Sequence, residues 1–253
     1  MRQDERAPFH TALQRAREAA FPPGEFLGQE SFMRAREIRR LAHRARIGPG
    51  VPVLDLCCGV AGPGRWITAE LGCGYLGLDY SASALEIARH GAGDLPCRFE
   101  QAHLPPLPDG RFEVVLLLEA MLAFQDKEAL VAEVARVLEP GGRFAFTLEE
   151  GEPLLGSERT RMPDDDTVWL IELAELTALL AAFGLTVTWQ EECSASHRAV
   201  AAAMLTAFRA HSAGIVAEIG SRALADLIAA HELWVDWLGS GRVRKFALVA
   251  EKR

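Results

Sequence analysis

Cysteine is scarce, basic residues are outnumbered, and no apolar run is long enough to cross a bilayer. The five cysteines, Cys57, Cys58, Cys73, Cys97 and Cys193, are odd in number, include a vicinal pair and show no paired CxxC spacing. That pattern suggests neither a disulfide framework nor a zinc site, so no metal is expected and a reducing cytoplasm is the expected setting. Lys and Arg number 27 against 35 Asp and Glu, a formal net charge of -8. Nucleic-acid affinity comes mainly from neutralised phosphates, so an acidic chain disfavours that partner. The first twenty residues carry Asp4, Glu5, Arg6, Arg15 and Arg17 without an apolar core segment. No later run approaches the roughly 20 residues of a membrane span, so neither a leader nor a membrane partner is expected.

What is present is an ordinary globular composition, 49% hydrophobic and 25% charged over 253 residues, enough for a substantial core. Apolar runs at 51–56, 74–78, 98–101, 112–118, 142–148, 185–190 and 245–251 read as strands, several of them continuous as in a parallel sheet covered on both faces. Helical spacing falls between them, near 63–71, 81–90, 126–138 and 171–183. An earlier helix over 31–47, capped by Ser31 and stopped by Gly48-Pro49-Gly50, carries six arginines that read as a solvated face. The alternation predicts a Rossmann-like α/β fold: a seven-stranded, mostly parallel sheet with helices on both faces. Residues 194–241, rich in Ala and Leu at helical intervals, predict a cap of two or three helices inserted before the last strand. The expected organisation is a cover segment over 1–30, a core over 31–193 and 242–253, and the cap over 194–241.

The strongest local signal is Val53-Leu54-Asp55-Leu56-Cys57-Cys58-Gly59-Val60-Ala61-Gly62-Pro63-Gly64, a strand entering a glycine-rich turn and then a helix. Such a turn lets backbone amides approach a ligand closely, and by itself it is common to several nucleotide-binding classes. A second acid, Asp79 in Gly77-Leu78-Asp79-Tyr80-Ser81, ends the next strand where a ribose diol would lie. Asp55 would repel a pyrophosphate but suits a ligand carrying an ammonium group. Gly59, Gly62 and Gly64 also miss the GxGxxG spacing of a nicotinamide enzyme.

Together with 101–115 and Ala135-Arg136-Val137-Leu138-Glu139-Pro140-Gly141-Gly142-Arg143, these segments resemble the class I S-adenosylmethionine-dependent methyltransferases. The resemblance covers most of the chain and lies closest to the small-molecule branch, which includes sarcosine, sterol-like, sugar and natural-product methyltransferases. It implies S-adenosylmethionine as donor and S-adenosylhomocysteine as product. Cys57 and Gly59 would line the methionine moiety and Asp79 with Tyr80 the ribose. Gln101 and Ala102 would face adenine, and Glu119 would lie near the sulfonium. Phe26 and Gln29 would belong to a cover over the donor, with Phe26 stabilising the sulfonium by cation–π attraction. Cys57, Ala61 and Gln101 depart from the residues common at these positions, the first two being small enough to leave binding intact.

The acceptor is expected to be a small molecule, methylated on nitrogen, oxygen or carbon, with the insert forming its pocket. An Asn/Asp-Pro-Pro-aromatic turn is missing after strand four, where Glu119-Ala120-Met121-Leu122 stand, and no cysteine lies between Cys97 and Cys193. These absences disfavour the nucleic-acid methylating classes. A hydroxyl or carbon acceptor needs a base, for which Glu149 and His197 are the candidates. Residues 151–167, with Arg159 and Arg161, are expected to form a mobile loop over the site. A monomer or homodimer is expected. An S-adenosylmethionine-binding sensor or other non-methylating member of the fold is the alternative.

Overall fold

The computed structural model describes residues 11–162 and 168–253. The first ten residues of the expected cover, and Asp164 to Asp166 of the expected mobile loop, lie outside the described residues. Thr11–Ala19 (α1) and Ala35–Arg44 (α2) precede Pro52–Leu56 (β1), Gly62–Leu71 (α3), Gly74–Asp79 (β2), Ala82–Ala92 (α4), Cys97–Gln101 (β3) and Phe112–Leu117 (β4). Lys127–Val137 (α5), Leu138–Glu150 (β5), Gly156–Arg159 (α6), Leu173–Ala182 (α7) and Leu185–Glu192 (β6) follow. The chain then runs through Ser194–Ala210 (α8), Ser212–Ile219 (α9) and Ser221–Ser240 (α10) to Arg244–Lys252 (β7).

The seven strands form one sheet in the order β3-β2-β1-β4-β5-β7-β6. The first five are parallel, and β7 runs antiparallel between β5 and β6. Side chains alternate across each strand, and both faces are covered. Leu54, Leu56, Val115, Leu117, Phe144 and Phe146 pack under α5 and α7. Val53, Val114, Leu116, Ala145 and Val249 pack under α2, α3 and α4 on the other side. This double coverage is why the strands read as continuous apolar runs.

A third apolar cluster joins α1 to α8, α9 and α10 through Leu13, Ala16, Met204, Phe208, Ile215 and Leu224. Glu218 accepts hydrogen bonds from the Ala12 and Leu13 amides at 2.7 and 3.2 Å, fastening the N-terminal segment to the insert.

Two local expectations differ from the structure. Ser31 does not cap α2: Arg34 occupies that position, and the Glu37 carboxylate accepts its amide at 2.8 Å, a reach that Ser31 lacks. The gap expected between a helix ending at 138 and a strand starting at 142, spanning Pro140-Gly141-Gly142, is not there. Leu138 already pairs with Phe112, and the register then slips so that Val114 pairs with Arg143, making the segment a bulge within a longer strand. The arginines of α2 form a surface face, with Arg39 over the Trp66 ring, Arg44 over Trp189 and Arg40 paired with Glu191.

Candidate active site

β1 delivers the chain to the turn between Cys57 and Ala61, and Cys57, Gly59 and Ala61 all adopt positive φ, 58°, 53° and 53°. Left-handed backbone costs an L residue about 1–2 kcal/mol, so this turn is held against a local preference at Cys57 and Ala61. It is fastened to β2: the Cys58 amide donates to the Leu78 carbonyl at 2.9 Å and the Gly59 amide to Asp79 Oδ2 at 2.8 Å. The Ser81 amide donates to Asp79 Oδ1 at 2.8 Å. Asp79 is therefore a carboxylate fixed by two amides and, among the described residues, by no cation.

Deeper in the turn, Asp55 accepts a hydrogen bond from Tyr75 Oη at 2.5 Å. Burial pushes the Asp55 carboxyl up to about 7, against the opposing effect of that bond and with help from the Asp79 charge. Burial also pushes the Cys57 thiol up to about 12 and raises that of Cys58, the Asp79 and Asp55 charges adding to both. Neither cysteine is a nucleophile near neutral pH.

A cavity of about 320 Å³ opens over this turn, covered by residues 28–31. Gln29 is buried and lashes the covering loop together. Its Oε1 accepts the Leu27 amide at 2.5 Å, and its Nε2 donates to the carbonyls of Met33 and Glu25 at 2.7 and 3.2 Å. The loop rests directly on the start of α3, where a Cβ added to Gly62 would stand 2.3 Å from the Leu27 carbonyl oxygen.

Of the sequence-predicted residues, Gln29, Asp55, Cys57, Gly59, Asp79, Tyr80 and Glu119 line this cavity, and Phe26, Gln101 and Ala102 do not. Phe26 instead packs on Phe21, ring centroids 5.4 Å apart, at the edge of the α1–α8 cluster. Gln101 is exposed and gives its amide to the Tyr80 carbonyl at 2.8 Å. The Ala102 amide bonds the Asp79 carbonyl at 2.9 Å, supporting the rim from behind.

A second cavity, of about 690 Å³, lies against the insert and shares Glu30, Ser31 and Glu119 with the first. Phe32, Leu122, Met204, Leu227, His231 and Trp234 are among its lining side chains. The Phe32 ring meets His231 and Trp234 edge-on, centroids 5.7 and 6.1 Å apart. Burial holds the His231 imidazole below its ordinary pKa. Met162, within the expected mobile loop over 151–167, and Val168, just after it, line one side of this cavity. Within that stretch α6 is pinned by Glu158, which takes two hydrogen bonds from Arg242.

The two cavities meet beside a buried group of charges. Lys245, 2% exposed at the start of β7, is hydrogen-bonded to Glu119 and stands 3.2 Å from Glu149 Oε1. Its ammonium also faces the rings of Phe32 and Trp234, 4.8 and 5.2 Å from their centroids. His197 lies behind Glu119, with Nδ1 3.6 Å from Glu119 and Nε2 3.4 Å from Glu37. Burial favours the neutral form of Lys245, yet the two carboxylates win and raise its pKa. Burial likewise opposes ionisation of Glu119 and Glu37, but Lys245 and His197 hold Glu119 below the usual range and His197 holds Glu37 down to about 2. At Glu149 burial prevails, and with the Glu119 charge it raises the pKa despite Lys245.

Glu149 and His197, the candidate bases, line neither cavity; they flank the Lys245–Glu119 pair from behind. Sequence reasoning missed Lys245 itself. Its signal was a lysine opening an otherwise apolar run, Phe246 to Ala250, in a position that only tertiary structure makes internal.

The fold is a Rossmann-like α/β sheet with helices before its last strand, and comparison with known proteins gives the following likenesses. Residues 54–146 match the methyltransferase domain family. A sterol 24-C-methyltransferase of Eremothecium gossypii is 36% identical over 135 residues, which is 50% of this chain and 36% of that protein. The chain thus spans about a third of the length of that relative. Among solved structures, the cyclopropane synthase MmaA2 of Mycobacterium tuberculosis superposes with a TM-score of 0.81 at 13% identity, covering 96% of this chain and 94% of that one. The [4+2]-cyclase SpnF superposes with a TM-score of 0.75 at 21% identity, covering 95% and 91%.

Proposed function

We propose that this chain transfers the methyl group of S-adenosylmethionine to a nitrogen, oxygen or carbon of a small-molecule acceptor by in-line displacement. The observation that carries this reading is the meeting of two unlike cavities at Glu30, Ser31 and Glu119, one walled by a glycine-rich turn and strand-end acids, the other by aromatic and aliphatic side chains. The first fits the donor on its own features. Asp79 is held by two backbone amides and keeps lone pairs for a ribose diol, and open space stands where a Gly59 Cβ would be. Asp79 and Tyr80 would hold the ribose, the turn at Cys57 and Gly59 the amino-acid end, and Asp55 would offset the ammonium. When bound, S-adenosylmethionine supplies a methyl carbon activated by its positively charged sulfur.

The chain's own contribution is placement and dryness. The Gln29-lashed loop covers the first cavity and the insert walls the second. Glu119, kept ionised by Lys245, puts a negative charge at their junction, where it favours a positively charged donor. Glu149 and His197 act in this reading as positioning residues for that pair rather than as bases. The apolar wall and the sterol 24-C-methyltransferase match support a bulky, partly apolar acceptor such as a natural product. We take the expected 194–241 cap as the acceptor-binding unit. No nucleic-acid partner, a cytoplasmic setting and a monomer or homodimer belong to the same reading. Among the described residues no single helix is long and apolar enough to cross a membrane.

A second reading, donor binding without methylation, draws support from the fold shared with the [4+2]-cyclase SpnF. Calorimetric titration with S-adenosylmethionine, S-adenosylhomocysteine and NAD, followed by a transfer screen over amines, phenols and indoles, tests both. Adenosyl binding with turnover establishes the first reading. Adenosyl binding without turnover on any acceptor favours the second, and NAD binding alone overturns both.

A further inference from the structure

Where the insert begins, three side chains with metal-ligand chemistry converge that neither cavity uses. Cys193 immediately precedes α8, His197 follows one turn later, and Glu37 stands in the first turn of α2. The Cys193 sulfur, a His197 ring nitrogen and a Glu37 carboxylate oxygen all lie within 4.8 Å of one another. His197 is 1% exposed, yet neither Nδ1 nor Nε2 makes a well-formed hydrogen bond, its contacts with Glu37 and Glu119 being long. Nε2 stops 3.4 Å from Glu37 Oε2, on the side of the cluster, while Nδ1 faces Glu119 Oε1 at 3.6 Å. A buried imidazole with both nitrogens poorly satisfied is costly, and such groups in native proteins have a reason.

We propose that Glu37, Cys193 and His197 form a binding site for a divalent transition-metal ion, with Zn²⁺ the ion best matched to a thiolate, an imidazole and a carboxylate. His197 Nε2 is the ligand atom, which leaves Nδ1–H to point at Glu119. A carboxylate behind a metal-bound imidazole is the usual outer support of such a ligand. The charges balance: a divalent ion meets one thiolate and the Glu37 carboxylate, His197 is neutral, and Glu119 is matched by Lys245. Burial and the Glu37 charge push the Cys193 thiol up to about 12, so the metal-free thiol is protonated. Binding breaks its S–H bond, forms the metal–sulfur bond and releases one proton to solvent. A solvent molecule would complete four-coordination. None of the three ligands lines a cavity, so the site is a structural clasp joining α2 to the first helix of the insert. The inference stands apart from the methyl-transfer reading, since it needs neither donor nor acceptor.

The test uses the full chain treated with a chelator and titrated with Co²⁺, whose spectrum reports its ligands. One Co²⁺ per chain is expected, with a thiolate-to-cobalt band in the near ultraviolet and intense visible bands of a tetrahedral centre. One equivalent of Zn²⁺ should abolish both. Cys193→Ala should lose the near-ultraviolet band, whereas Cys73→Ala, a buried cysteine outside the cluster, should keep it. Circular dichroism establishes that each variant is folded. Should Cys193→Ala fail to fold, His197→Gln replaces it and should lose the tetrahedral visible bands. A wild-type protein that gives no stoichiometric cobalt spectrum, or a near-ultraviolet band that survives in folded Cys193→Ala, overturns the proposal and leaves His197 as an ion-pair partner of Glu37.

Discussion

Lys245 and Glu119, 126 positions apart in sequence, form a buried ion pair that joins the start of the last strand to the end of β4. Glu119 lines both cavities and holds a positive φ of 58°, its amide donating to Thr147 Oγ1 at 2.5 Å. The lysine is thus the counter-charge that lets an acid stand at the junction in an ionised state. Lys245→Met strands that charge, and such a change costs about 3–5 kcal/mol. Lys245→Met with Glu119→Gln should recover at least half of the loss. Urea denaturation of wild type, both single variants and the double variant checks this, and a single-variant cost near zero would refute an ionised pair.

The raised Asp55 pKa makes the ligand-free protein pH-sensitive. A carboxyl that ionises near 7 when folded and near 3.8 otherwise stabilises the fold fully below the lower value. That contribution is lost as pH rises through 7. At 1.36 kcal/mol per unit the swing is on the order of 4 kcal/mol. Asp55→Asn removes it, so the difference in melting temperature between variant and wild type should grow in the variant's favour from pH 5 to pH 8. The donor's ammonium favours the ionised carboxylate, so wild-type affinity for S-adenosylmethionine should rise over the same interval and the variant's should not.

Asp79→Ala removes the acceptor assigned to the ribose and leaves the Gly59 and Ser81 amides without their partner. The loss of a charged hydrogen bond is worth about 1.5–3 kcal/mol, a ten- to more than hundredfold weakening of S-adenosylmethionine binding. Calorimetry that finds equal affinity removes Asp79 from the donor site.

Gly62→Ala tests the covering loop. Its Cβ would meet the Leu27 oxygen at 2.3 Å and the Gly28 carbonyl carbon at 2.8 Å, and both neighbours are backbone that no rotamer change can move. The loop must lift, at about 1–3 kcal/mol in stability. S-adenosylmethionine affinity should fall in parallel, since residues 28–31 line the first cavity.

Trp234→Ala opens the second cavity and leaves the first intact. The acceptor KM should rise at least tenfold while S-adenosylmethionine affinity stays within twofold. A loss confined to donor binding would place the acceptor elsewhere.

The parts of this protein that could be read from sequence are those whose causes are local. Strands covered on both faces leave continuous apolar runs, and the turn from Cys57 to Ala61 and the acid at Asp79 sit in contiguous motifs. The bulge at Pro140-Gly141-Gly142 escaped because a glycine pair looks alike whether it ends an element or bends one. Phe26 was ambiguous for a different reason: a ring near a sulfonium and a ring in an apolar cluster have the same local signature, and here it packs on Phe21. Lys245 was invisible as a site residue because its partners, Glu119, Glu149, Phe32 and Trp234, come from four separate stretches of chain.

The placing of β7 between β5 and β6 bears on how the chain is made. Among the described residues β6 pairs with β7 alone, so until residues 244–252 have left the ribosome it has no such neighbour in the sheet. Over the same interval Glu119 and Glu149 wait for the lysine that compensates them, and the outer half of the sheet is an open edge of the kind that invites pairing between chains. Residues 244–252 are therefore those that end the exposure of this sheet edge, and a ribosome-stalled fragment truncated before them should be a preferred client of chaperones that recognise unpaired strands.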